Sequence, residues 1–83
     1  MSDIALFCAK FQELAGFSCD AALLDNGTML EVVCEHKSGR FFAIGLKRGG
    51  GPIPGEEMLG LVAEAVRQIK ARFAGYEANH GTS

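Results

Sequence analysis

The tripeptide Asp25-Asn26-Gly27 constrains this chain more than any other feature. Residues of this kind accept the positive φ values that a tight hairpin turn demands. Upstream lies a short apolar run, Cys19 to Leu24. Downstream, over 28–36, Leu30, Val32 and Cys34 alternate with Glu31, Val33 and Glu35. A period of two is the strand period, and a loop this short forces the two strands antiparallel. Lys37-Ser38-Gly39 marks a second turn. It leads into a third strand over 40–48, with Phe42, Ile44 and Leu46 on one face. The sequence therefore predicts a three-stranded antiparallel meander.

Helical patterns flank the meander. Ile4, Phe7, Phe11 and Leu14 recur at helical spacing, widened by Cys8 and Ala15, and predict a helix over 3–15. Ser2 or Asp3 caps its start, and Gly16 suits a left-handed cap at its end. A breaker stretch, Gly49 to Gly55 with Pro52 and Pro54, follows the third strand as a flexible connector. Within it, Ile53 either anchors the segment to the core or extends a brief edge strand. A second helix is expected over 56–74, on Leu59, Val62, Val66, Ile69 and Phe73. Glu56 and Glu57 sit in its first turn, and Arg67, Lys70 and Arg72 toward its end, as the helix dipole favours. Gly75 and the polar residues beyond it read as the end of a single domain, 1–75, followed by a flexible tail, 76–83.

Eighty-three residues bury about 63% of the surface their extended chain exposes, enough for one thin core. Two singly striped helices and one meander then form an α+β two-layer sandwich, order α-β-β-β-α, with both helices on one sheet face. The inner face carries Leu30, Val32, Cys34, Phe42, Ile44 and Leu46.

The opposite face is the informative one. It shows Met29, Glu31, Val33 and Glu35 on the second strand, and Phe41, Ala43, Gly45 and Lys47 on the third. A solvated sheet face is mostly polar; this one is not. Because neighbouring strand residues point to opposite faces, Phe41-Phe42 sends one large ring away from the core. An apolar patch rimmed by charge marks a contact surface. Met29, Glu31, Val33, Glu35, Arg40, Phe41, Ala43 and Lys47 are accordingly the expected protein-binding residues. The partner is another protein or a second copy of this chain. Edge pairing through 19–24, or the stripe of the second helix, offers a further route to a homodimer.

Other chemistry fits less well. Asp20 with Asp25, and Glu31 with Glu35, are carboxylate pairs, but a fold this thin lacks the cleft that shifts their pKa values. Cys34 and His36 share a strand face and form at most half a metal site, with Cys19 or Cys8 as a third ligand. The spacing matches no zinc pattern. Gly49-Gly50-Gly51 lacks the Gly-Lys-Ser/Thr ending of a phosphate loop, two prolines remove donors, and Glu56-Glu57 repels an anion. The expectation is a protein without catalytic residues, metal or cofactor. Three cysteines make a poor disulfide framework. Neither a signal peptide nor a membrane-spanning run is apparent, so the expected location is cytoplasmic.

Charge suggests one alternative. The first 35 residues hold six acids and one base, Lys10, whereas 36–72 hold seven bases and three acids. Lys37, Arg40, Lys47 and Arg48 form a basic strip beside an aromatic ring, as nucleic-acid binders do. The element order over 3–74 resembles the double-stranded RNA-binding domain. That resemblance implies RNA binding through a lysine-rich start to the second helix, where this chain has Glu56-Glu57. The opening helix and meander, with Leu24-Asp25-Asn26-Gly27 and Gly51-Pro52-Ile53-Pro54, also resemble secretion chaperones that bind extended cargo segments.

Overall fold

A computed structural model describes residues 2–79. The elements run α1 (Asp3–Ala15), β1 (Asp20–Leu24), β2 (Met29–Glu35), β3 (Phe41–Lys47) and α2 (Gly55–Asn79). The strands form one antiparallel sheet, order β1-β2-β3. The expected α-β-β-β-α arrangement is therefore the one observed. β1 starts one residue later than its pattern predicts, and β2 and β3 are each one residue shorter at both ends.

Local chemistry accounts for the boundaries. The Ser2 hydroxyl accepts from the Ala5 N–H at 3.1 Å and caps α1. Gly16 closes the helix in the left-handed region, φ 89°. With Ser2 as the cap, the Asp3 carboxylate turns to the connector and accepts the Ile53 N–H at 3.0 Å. Ile53 thus anchors the connector to α1 and the core and extends no strand.

The first hairpin turn needs three successive positive φ values, at Asp25 (53°), Asn26 (58°) and Gly27 (84°). At Gly27 a Cβ would also lie 3.3 Å from the Gly51 nitrogen and 3.4 Å from the Arg48 guanidinium. Gly27→Ala is expected to cost about 1–2 kcal/mol, read as a lower urea midpoint at unchanged slope.

One core forms between sheet and helices. Phe7 and Phe11 of α1 and Met58, Val62, Ala65, Val66 and Ile69 of α2 pack on Leu30, Val32, Cys34, Ile44 and Leu46. Leu14 and Leu59, expected in the helical stripes, are instead 57% and 61% exposed. The buried seam of α2 runs through Met58, Val62, Ala65 and Ile69, which turns Leu59 to its flank.

α2 returns antiparallel to β3 and is tied at both ends. At its start, Arg48 forms a bidentate pair with Glu57 at 2.9 and 3.0 Å. The same guanidinium donates to the carbonyls of Gly27, Gly51 and Pro52. The connector is therefore held in place, contrary to the flexible segment its glycines suggest.

At its far end, the helix passes the expected stop at 74 and continues to Asn79. His36 explains the extension. Its ring is 5% exposed, packed edge-on against Phe42, Phe73 and Tyr76. The Ser38 N–H donates to Nδ1 at 3.1 Å, so Nε2–H donates to the Glu77 carboxylate at 2.7 Å. Gly75 costs a helix about 1 kcal/mol relative to alanine. The contacts of Tyr76 and Glu77 offset it. The expected tail thus loses 76–79 to the helix, while 80–83, with His80, lie outside the described residues.

The hydrogen bond from His36, with the charge of Lys37 behind it, holds the Glu77 carboxyl below its ordinary value. A depressed folded-state pKa contributes stability above the unfolded value and loses it as pH falls through the folded one. Glu77→Gln is therefore expected to lower the melting temperature near neutral pH. The gap to the native chain should close below about pH 4, in thermal melts across pH.

Candidate protein-binding face

Both helices cover the inner sheet face, and among the described residues no element covers the outer face. Its side chains form four cross-strand rows, because residues directly opposite in antiparallel strands share a face. Glu35 faces Phe41; Asp20, Val33 and Ala43 form the next row. Ala22, Glu31 and Gly45 follow, then Leu24, Met29 and Lys47. The face thus carries three carboxylates and one ammonium around an apolar centre.

Phe41 is 64% exposed. It flanks a cleft of about 240 Å³ lined by Phe17, Ser18, Cys19, Asp20, Val33, Glu35 and Phe41. Two carboxylates and an aromatic ring therefore share one opening. Met29 lies over Gly45, its sulfur 3.0 Å from where a Cβ would stand, so the thioether occupies space that any larger residue at 45 needs.

Of the residues singled out from sequence, Met29, Glu31, Val33, Glu35, Phe41, Ala43 and Lys47 share this face. Arg40 does not join them. Its guanidinium carbon stands 5.4 Å from the Tyr76 ring centre and 5.9 Å from that of Phe42, turned toward α2. Asp20, Ala22 and Leu24, which β1 adds to the face, were not among the residues expected there. Their shared parity in 20–24 is the signal that could have found them. Phe17 and Ser18 carry no such signal, since they precede the strand.

The four cations at 37–48 do not form one strip. Arg48 is spent on Glu57 and three carbonyls, and its side chain is 1% exposed. Lys47 and Arg40 lie at opposite ends of β3, about 23 Å apart at strand rise. Cys34 and His36 do share the inner face, but both His36 nitrogens are engaged by Ser38 and Glu77. Among the described residues, no group of three His, Cys, Asp or Glu side chains is arranged to hold a metal ion. None of the described helices is long and apolar enough to cross a membrane.

Comparison with protein-family models, curated proteins and solved structures finds no match to this chain.

Proposed function

We propose that this chain is a small non-enzymatic protein-binding module that docks a partner on its outer sheet face around Phe41. The observation that carries the reading is the exposed Phe41 ring beside Val33, over a cleft that also contains the Asp20 and Glu35 carboxylates. That combination suits a lysine or arginine flanked by apolar residues. The ring attracts a cation through its face, the carboxylates pair with it, and Val33 and Ala43 take the apolar flank. The partner is therefore a protein presenting a basic, partly apolar segment. The free thiols support a reducing, cytoplasmic setting. The internal commitment of Arg48 and the separation of Arg40 from Lys47 favour this reading over nucleic-acid binding.

Peptide display against the whole chain, with counter-selection on Phe41→Asp, tests it. The expected outcome is a set of binders enriched in lysine or arginine next to an apolar residue. Binders that persist on Phe41→Asp, or that lack a basic residue, contradict it. Self-association lost on Phe41→Asp would assign the face to a second copy of the chain instead.

A further inference from the structure

The three cysteines, scattered in sequence, converge in space. Cys8 on α1 and Cys19 just ahead of β1 place their sulfurs 3.9 Å apart. Cys34 follows on β2, and extending the β1–β2 register by one residue sets it opposite Cys19. Cys8 and Cys19 are only partly buried, whereas Cys34 is 2% exposed. Cys19 has the inner-face parity of Cys34 but lies, only partly buried, at the rim of the sheet ahead of β1.

We infer that Cys8 and Cys19 are a modification site that closes to an intramolecular disulfide when the protein meets a low-molecular-weight disulfide such as oxidised glutathione. The two sulfurs need approach by only about 1.9 Å to reach bonding distance. The exchange is balanced. One of the two partly buried thiols attacks the reagent, forms a mixed disulfide and releases one small thiol. The other then displaces the second small thiol and forms the Cys8–Cys19 bond. One external disulfide is consumed, and the two protein thiol protons leave on the two released thiols. Two electrons pass from the protein to the reagent. Cys34, sealed beneath the helices, takes no part.

Both steps require thiolates, and both thiols resist ionisation. Burial and the neighbouring Cys19 push the Cys8 thiol up to about 11. Cys19 is raised as well, by its hydrogen bond to Cys34 and by burial. Closure is therefore slow near neutral pH and accelerates about tenfold per pH unit on the alkaline side, following the thiolate fraction.

The test treats the whole chain with excess oxidised glutathione and reads intact mass and non-reducing peptide maps. Cleavage after Lys10 and Glu31 separates the three cysteines. The expected product has lost two hydrogens and joins the Cys8 and Cys19 peptides. Cys8→Ala should instead stop at one glutathione adduct on Cys19, and Cys34→Ala should close as the native chain does. A Cys19–Cys34 bond would overturn the inference, as would a glutathione adduct persisting on the native chain. So would closure in Cys8→Ala. Circular dichroism of each variant separates a lost reaction from a lost fold.

Discussion

Replacing Phe11 with alanine is expected to lower the melting temperature by about 15–30 °C. Phe11 is fully buried on α1, with ring centres 6.2 Å from Phe7 and 5.7 Å from Phe17. Truncating a buried phenylalanine costs about 3–5 kcal/mol, from lost transfer energy and the cavity left behind. A domain of this length holds only about 4–12 kcal/mol in total. In so small a domain each kcal/mol moves the midpoint by about 4–8 °C. Phe11 also links the helix layer to Phe17, which packs at 5.3 Å on Phe73 near the far end of α2. The loss therefore reaches the contacts that hold α2 in place. Calorimetry or thermal circular dichroism reads the shift directly. A drop of only a few degrees would mean that the core does not rest on this ring.

Phe41→Ala is expected to do the reverse: leave the fold intact and remove binding. Its ring is largely in solvent, so truncation gives up little burial, and the melting temperature should move by no more than a few degrees. An aromatic anchor at the centre of an interface typically contributes about 2 kcal/mol or more, so affinity for a selected basic peptide should fall about 30-fold or further. Phe42→Ala is the internal control. The Phe42 ring packs at 5.4 Å on Phe73 and 5.5 Å on Tyr76, and its loss should destabilise the protein. Adjacent residues of one type then give opposite outcomes because strand parity sends them to opposite faces. If Phe41→Ala unfolds the chain and Phe42→Ala does not, the two faces are reversed.

Parity also explains how much of this could be read in advance. The meander, its turns and its inner face follow from local alternation, which a sequence displays directly. Seven of the eight expected face residues have the outer parity and lie on that face. Arg40 has the parity of Phe42, so the same alternation already sets it on the other side, where it lies over the Phe42 and Tyr76 rings. The rest of what escaped depends on contacts between segments far apart in the chain. The glycines at 49–51 read as slack, because nothing local shows that Arg48 holds this stretch to Glu57 through the Gly51 and Pro52 carbonyls. Gly75 reads as a stop, because the reward for continuing α2 lies forty-one residues upstream of Glu77, at His36. The thiol cluster is hidden for the same reason, since Cys8 and Cys19 meet only once α1 packs on the sheet. The cleft beside Phe41 needs Phe17 and Ser18, two residues in a link with no periodicity.

The helix layer offers a rival surface to the outer sheet face. Lys10, Glu13, Leu14, Leu59 and Val62 line a second opening of about 290 Å³ between α1 and α2, with both leucines largely exposed. Methyl chemical-shift mapping with a display-selected basic peptide separates the two surfaces in one titration. Saturable shifts are expected at the Ala22, Val33 and Ala43 methyls, with Leu14 and Leu59 unmoved. Shifts confined to Leu14, Leu59 and Val62, with the outer sheet face silent, would contradict binding at Phe41.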